Sequence, residues 1–360
     1  MKRITLCALL ITLFLLLGCG SGHQSANGGG AATGGRTLSS VLMDVGRSAE
    51  NAFYSFLELL SGTLGFTVTK DTTKQQVGAY FKSLGAKLGE ASDELEEVAK
   101  NSETDIDKGD LNKVIRSAVD AAKTTLSTLK IHLESLGTVG DSTNKVVDVA
   151  SNQQGVAAAD VELKKAYNSL KGIVETAKTQ QVIEPKKNDV ALADASIGVT
   201  SSKDGAKVLT TGAAGAAVGD KAAAIVSAVS GEEILASIVA SKDTDADAAL
   251  SADADGNTSA LKFAKGGATA AHLSKDTAKA SAVVGGIALR SLVKAGKLAS
   301  HNNNDEKAVQ AAGITAVNKL LGALEDVIKK TVKNVLEKAK GEIDKSRGPQ
   351  ETISESSNKK

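Results

Sequence analysis

The sequence has few aromatic residues and little cysteine. It contains no Trp, six Phe and three Tyr in 360 residues, so a core built on large rings is excluded, and a thin core of aliphatic side chains is expected. Its two cysteines are Cys7 and Cys19. The rest of the chain therefore has no thiol for a disulfide, a thiolate metal site or a cysteine nucleophile. Stability has to come from helix packing.

Proline is nearly absent as well, with Pro185 and Pro349 as the two examples. Few positions therefore interrupt a helix, and the abundant Ala, Leu, Lys and Glu are residues that enter helices at low cost. The 35 glycines are expected to serve as helix caps and as points of close packing between helices. The composition predicts an all-α fold.

The charges are almost balanced. Lys and Arg number 43 against 42 Asp and Glu, for a formal net charge of +1, and removal of Lys2 and Arg3 would make the chain about neutral. Nucleic-acid binding needs a basic excess or aromatic stacking platforms, and both are lacking. No nucleic-acid partner is predicted.

Motifs for catalysis and metal binding are also missing. The sequence has no G-x-S-x-G, H-E-x-x-H, dinucleotide-binding or C-x-x-C pattern. The acidic tract Asp243–Asn257 fails as a calcium loop, because positions six and twelve from Asp243 are Ala248 and Ala254; a solvated acidic loop is predicted. The four histidines are far apart: His23, His132, His272 and His301. We predict no enzyme, cofactor or metal site.

The N-terminus has the pattern of an export signal. Lys2 and Arg3 precede an apolar run, residues 7–17, that is too short to cross a bilayer. The residues Leu16-Leu17-Gly18-Cys19 that follow resemble the lipobox of bacterial lipoproteins. In that class the signal, here residues 1–18, is removed, and the cysteine, here Cys19, becomes an S-diacylglycerol and N-palmitoyl cysteine. The alternative is an ordinary signal peptide with a spare cysteine.

The remainder divides into a Gly-, Ser- and Ala-rich tether (residues 19–37), a helical domain (38–344) and a polar tail (345–360). Apolar residues at three- and four-residue spacing predict the helices of the domain. The first and last long helices are expected to pack together near the membrane in an elongated bundle. The predicted helical stretches are Leu38–Leu64, Val77–Val98, Val114–Leu136, Asp160–Lys178 and Glu306–Ile343.

The region 190–271 differs in amino-acid composition, because Ala, Gly, Ser and Asp dominate it. We predict short helices joined by variable loops, placed distally and outside the main core. Ala222–Val229 and Glu232–Val239 are the clearest helical pieces. These loops are the part of the domain in which sequence change should be tolerated most easily.

A further helix is predicted over Ala278–Leu298. Arg290, Lys294 and Lys297 follow one another at spacings of four and three residues, which places them on one face of such a helix. A solvated basic face is the favoured interpretation, and a stripe that binds a receptor is the alternative.

Several segments together resemble a known family. They are LLLGCGSG at the leader, KKNDVALADASIGV, GAAGAAVGDKAAAIVSAVSGEEILASIV, GGIALRSLVKAGKLAS, and AVNKLLGALEDVIKKTVKNVLEKA near the end. In this order they resemble the variable large proteins of relapsing-fever Borrelia. These belong to the variable major protein family and are related to the variable surface antigen of the Lyme spirochaete. The segment GGIALRSLVKAGKLA is similar to that family's invariable region.

The resemblance implies an outer-membrane surface lipoprotein with an all-α fold, terminal helices near the membrane and variable loops facing outward. Its implied role is antigenic variation, with the outer membrane and host antibodies as partners. The alternative function is a surface adhesin, which would hold a host protein or glycan through the distal loops or the Arg290, Lys294 and Lys297 face. Homo-oligomerisation is left open.

Overall fold

The computed structural model describes residues 63–102, 110–150 and 154–346. In these residues the backbone forms nine α-helices and three 3₁₀-helices, and strand pairing is limited to isolated bridges. The predicted all-α class is confirmed. The helices are α1 (Lys74–Ser102), α2 (Asp110–Leu136), α3 (Asp160–Thr179), α4 (Gly219–Ser227), α5 (Gly231–Val239), α6 (Ala260–Lys265), α7 (Ala270–Leu273), α8 (Ala280–Leu292) and α9 (Asn303–Ser346), and the 3₁₀-helices are Ala195–Ile197, Ser202–Leu209 and Asp243–Ala246.

Some predicted segments lie outside the described residues. They include the signal peptide (residues 1–18), the tether (19–37) with Cys19, and the polar tail from residue 347 onward. The predicted helix that begins at Leu38 also lies outside as far as residue 62. Its proposed packing against the last helix therefore stays a prediction.

Helices α1 and α2 form an antiparallel pair. The buried residues of α2 recur every three or four positions and include Ile115, Leu126 and Leu133, as expected for a helix with one apolar face. Glycines let the two backbones approach where α1 begins and α2 ends. A Cβ added at Gly78 would lie 2.7 Å from the carbonyl oxygen of Gly137, so a larger residue at Gly78 would push the helices apart.

Helix α9 is the longest element of the described domain, with 44 residues. Its apolar seam is buried along the whole helix, from Val309 through Leu320 and Ile328 to Ile343. It packs against α2, α3, α4, α5 and α8. Helices from both halves of the sequence therefore share one core around α9.

The short helices predicted in region 190–271 are present as α4, α5, α6 and α7. The expectation that this region stands outside the main core is wrong for its helices. Ile225, Leu235 and Phe263 have no solvent exposure, and α4 and α5 pack on α9. The small residues permit this burial, because Gly and Ala allow helices to approach closely. The connecting residues Ala213, Ala216 and Ala217 are exposed.

The acidic tract is only partly a solvated loop. Lys164 of α3 pairs with Asp243 (Nζ···Oδ2 3.5 Å) and with Asp247 (Nζ···Oδ1 2.5 Å), and the Tyr167 hydroxyl donates to the carbonyl oxygen of Ser241 at 2.7 Å. The first part of the tract is thus fastened to α3. Surface ion pairs contribute little each, so the buried Tyr167 hydrogen bond is the firmer contact.

Candidate functional site

The predicted lipidation site, Cys19, lies outside the described residues, so its role stays a prediction. The predicted basic face formed by Arg290, Lys294 and Lys297 is wrong. Helix α8 ends at Leu292, and Val293 is extended, with φ −85° and ψ 149°. Helical spacing therefore does not relate Arg290 to the two lysines that follow.

Arg290 is completely buried. Its Nε donates to the carbonyl oxygen of Ala264 at 2.8 Å, and its two terminal nitrogens lie 3.5 Å from the carbonyl oxygens of Thr210 and Phe263. Phe263 and Ala264 are in the last turn of α6, where unpaired carbonyls give a helix its negative end. Burial lowers the pKa of Arg290 to about 9. The guanidinium is therefore still positive at neutral pH and caps α6 from the core.

Two glycines make room for this arginine. A Cβ on Gly266 would lie 2.2 Å from Nη2 of Arg290, and a Cβ on Gly296 would lie 2.0 Å from the Arg290 carbonyl oxygen. Gly266 also has φ +63° and ψ −160°, a conformation essentially restricted to glycine. The buried guanidinium therefore depends on glycine at position 266, and glycine at position 296 leaves room for the Arg290 backbone.

The residues after α8 make backbone hydrogen bonds to several other parts of the chain, and we call residues 293–300 the hub segment. Lys297 and Val156 exchange two backbone hydrogen bonds of 3.0 Å, and Ala299 donates to the Val208 carbonyl at 2.8 Å. Leu298 donates to Asp148 at 2.9 Å and accepts from Ala150 at 2.8 Å. The hub segment thus joins three stretches that are distant in sequence.

A second buried cation holds the hub segment. The ammonium of Lys74, the first residue of α1, donates to the carbonyl oxygens of Val293 at 2.6 Å and Gly296 at 3.3 Å. Burial lowers the pKa of Lys74 from its ordinary 10.5 to about 8; Lys297 lowers it further, whereas Asp141 and Asp148 oppose the shift. The Val293 carbonyl also accepts from the backbone N–H of Gly296 at 3.3 Å, so Lys74 adds a second donor there and links the two carbonyls to the start of α1.

Lys74 makes stability depend on pH in the alkaline range. Between pH 8 and 10.5 the unfolded chain keeps the Lys74 proton while the folded chain releases it, so the contribution of Lys74 to stability rises with pH. The free energy of unfolding should be measured for the parent and for Lys74→Met at pH 7 and at pH 10. From the lower to the higher pH, the parent should become more stable relative to Lys74→Met by about 2 kcal/mol. The exposed Lys70→Met is the matched lysine control. A parent-to-Lys74→Met difference independent of pH would contradict the assignment.

Helix α4 is held at both ends by charged residues of α9. Asp305 Oδ1 accepts from the backbone N–H groups of Val218 (2.8 Å) and Gly219 (2.7 Å) at the start of α4. Lys319 Nζ donates to the carbonyls of Val226 and Val229, each at 2.7 Å, at its end. A carboxylate at the N-terminus and a cation at the C-terminus both complement the helix dipole.

The described residues contain no group of three or more His, Cys, Asp or Glu side chains placed to hold a metal ion. His132 is half-buried between α2 and α3, where a Cβ on Gly172 would meet its ring at 2.2 Å. Burial lowers the pKa of His132, against the opposing effect of Glu175. This histidine is a packing residue.

Within the same described segments, no helix alone is long and apolar enough to cross a membrane. The bent pair formed by α4 and α5, with 95° between them, passes that length and composition test when the two are taken together.

Comparison with known proteins identifies the class. The profile of the Borrelia lipoprotein family matches residues 49–343, so the chain belongs to the Borrelia lipoprotein family. It is 62% identical over 355 residues to Variable large protein 25 of Borrelia hermsii, covering 98% of this chain and 97% of that one. It is 58% identical to Variable large protein 18 of the same species, covering 98% and 97%.

A solved structure shares the fold. The crystal structure of the Lyme disease variable surface antigen VlsE of Borrelia burgdorferi matches with a TM-score of 0.65, covering 84% of this chain and 97% of that one at 24% identity. The helical architecture expected from the resemblance is therefore confirmed.

Sequence reasoning missed the residues that organise this fold. Lys74 and Asp305 lie at the edges of predicted helices, where polar residues are common. Lys319 is one of many lysines in the sequence of α9. No local sequence pattern marks these residues, because their partners lie about 80 residues or more away in the chain.

Proposed function

We propose that this chain is a lipid-anchored surface antigen of the variable large protein type, and that its replacement by other versions evades host antibody. The observation that carries the proposal is the 62% identity to Variable large protein 25 across 98% of the chain. The fold shared with VlsE is consistent with such an antigen. The partners in this proposal are the outer membrane, reached through acyl chains on Cys19, and host antibodies.

The distribution of burial supports this role. The hub segment and the α4 contacts are made largely by backbone atoms and buried side chains, whereas the connecting residues Ala213, Gly215, Ala216 and Ala217 are exposed. Exposed connections tolerate substitution because few contacts depend on them. Region 190–271 could thus vary at its surface while its helices keep the core. The proposed function requires no catalytic group.

Lipidation of Cys19 is tested by substitution. Cys19→Ala should leave an unprocessed precursor that takes up no labelled palmitate, because the thiol that would accept the diacylglycerol is gone. Cys7→Ala removes the other thiol of the signal region and should be labelled like the parent. Labelling of Cys19→Ala at the parental level would refute the anchor.

Antigenic variation is tested with antisera. Serum raised against this protein should kill Borrelia cells that display it and spare isogenic cells that display the Variable large protein 25 sequence, because under this proposal the differences between the two sequences, which are 62% identical, fall in exposed loops. Brief protease treatment of intact cells should also remove the protein. Equal killing of both cell types would argue against antigenic variation, and full protease protection would argue against surface exposure.

The alternative function is a surface adhesin for a host protein or glycan. The basic face that would have supported it is not formed. Arg290 is buried, and Lys297 pairs with Asp148 at 2.9 Å. No feature of the described residues favours this alternative, a host ligand or a homo-oligomer.

A further inference from the structure

The segment just before α1 is fastened to α9 by paired hydrogen bonds. The backbone N–H of Val68 donates to Oδ1 of Asn318 at 2.7 Å, and Nδ2 of Asn318 donates to the Val68 carbonyl at 3.0 Å. The side chain of Val68 is 1% exposed. One amide side chain thus replaces the two hydrogen bonds that a neighbouring strand would make.

A second contact lies two turns further along α9. Glu325 Oε2 accepts from the backbone N–H of Gly65 at 3.0 Å, and Glu325 Oε1 accepts from the Tyr80 hydroxyl. The ring of Phe66 stacks on Tyr80, with centroids 4.8 Å apart and planes at 15°. Phe66 is therefore held from one side by an aromatic ring of α1.

The spacing of the two contacts matches the geometry of the elements. Asn318 and Glu325 are seven residues apart, which is about 10.5 Å along a helix. Gly65 and Val68 are three residues apart, about 10 Å in an extended chain. With Gly65 at φ +94° and the chain non-helical as far as Val68, residues 65–68 reach both side chains of α9 at once, and we call these residues in this position the clasp.

We propose that the clasp shields the Phe66–Thr67 peptide bond from chymotrypsin-like proteases and so keeps the domain attached to its lipid-bearing N-terminal part. The second half of this inference rests on the proposed lipid anchor. A protease of this type needs the phenylalanine side chain in its specificity pocket and the surrounding backbone in its cleft. The half-buried Phe66 ring is stacked on Tyr80, and the backbone on both sides of the Phe66–Thr67 bond is hydrogen-bonded to α9, so the protease should engage the bond mainly after the clasp opens.

The clasp opens as a local unit. Besides the buried Val68 side chain and the Phe66–Tyr80 stacking, it is held on α9 by two side chains, so it should detach at a lower free energy than the whole core unfolds. When opening and closing are fast relative to cleavage, the cleavage rate follows the population of the open form. Weakening either contact should therefore accelerate cleavage at Phe66 without a matching loss of global stability.

The test uses the full lipidated protein treated with chymotrypsin. Asn318→Ala and Glu325→Ala should each speed the appearance of fragments beginning at Thr67 by about tenfold or more, the effect of losing hydrogen bonds worth 1.4 kcal/mol. Glu325→Gln keeps an acceptor and should stay near the parental rate, and the exposed Asp326→Ala is the control on the same helix. Unchanged cleavage at Phe66 in both alanine variants would overturn the proposal.

A second peptide bond, cut in the same digest, distinguishes local opening of the clasp from global destabilisation of the domain. Phe263 has no solvent exposure, so cleavage after it reports unfolding of the core. If the clasp shields the bond, the alanine variants should be cleaved faster after Phe66, with little change in the rate of cleavage after Phe263. Equal acceleration at both bonds would overturn the proposal.

On intact cells, chymotrypsin should release the domain beginning at Thr67 faster from Asn318→Ala cells than from Asp326→Ala cells, leaving the palmitate label with the cells. Accelerated cleavage with the domain still on the cells would refute the anchor at Cys19 while the shielding shown with purified protein stands.

Discussion

Gly266→Ala should lower the free energy of unfolding by about 4 kcal/mol, a large share of the total stability of a typical domain. The added Cβ would lie 1.9 Å from the Leu209 carbonyl oxygen and 2.2 Å from Nη2 of Arg290. The backbone at this position has φ +63° and ψ −160°, which an L side chain does not adopt without strain. The measurement is urea unfolding followed by circular dichroism.

Gly215→Ala is the matched control for this prediction. Gly215 also has a positive φ, +80°, but a Cβ there meets nothing within 4 Å. Its cost should be the conformational penalty alone, about 1 kcal/mol. Equal losses from Gly266→Ala and Gly215→Ala would mean that the space around Arg290 is not limiting.

Asp305→Ala should lower the free energy of unfolding by about 3 kcal/mol. The carboxylate is 6% exposed, and besides Val218 and Gly219 it accepts from the backbone N–H of His301 at 2.7 Å. Its removal leaves three backbone donors without a partner in a mostly buried place. Chemical denaturation of the parent and the variant at pH 7 measures the effect.

Asp305→Asn keeps one acceptor oxygen and should lose about half as much stability, because the charge and one set of hydrogen bonds are gone. Lys307→Ala, at an exposed position two residues further along α9, should stay within about 0.5 kcal/mol of the parent. A loss for Asp305→Ala as small as that of Lys307→Ala would show that α4 does not depend on the carboxylate.

The long helices could be predicted because their information is local. In α2 and α9 the buried residues repeat at three- and four-residue intervals, so one apolar face is visible in the sequence itself. The short helices were predicted less exactly at their ends. The start of α4 is Gly219 rather than Ala222, and Val218 before it has no capping side chain, so the carboxylate that caps this helix comes from Asp305, 86 residues later in the chain.

The predicted basic face failed for a related reason. A helical pattern from Ala278 to Leu298 is consistent with the residue types, and nothing local marks Leu292 as the last helical residue. After the helix ends, the carbonyls of Val293 and Gly296 accept hydrogen bonds from Lys74, about 220 residues earlier in the chain. Arg290, inside α8, lies in the core and donates to carbonyls of Thr210 and α6.

The sequence by itself determined the helical class and the long amphipathic helices, because helix propensity and apolar periodicity depend on neighbouring residues. Lipid attachment at Cys19 stays a prediction from a short motif. Only the tertiary structure decided that Arg290 and Lys74 are buried, that α4 is capped by α9 and that residues 65–68 are held on the same helix. Those outcomes depend on contacts between residues far apart in sequence. Whether a charged side chain meets water or backbone carbonyls is settled only when the elements pack.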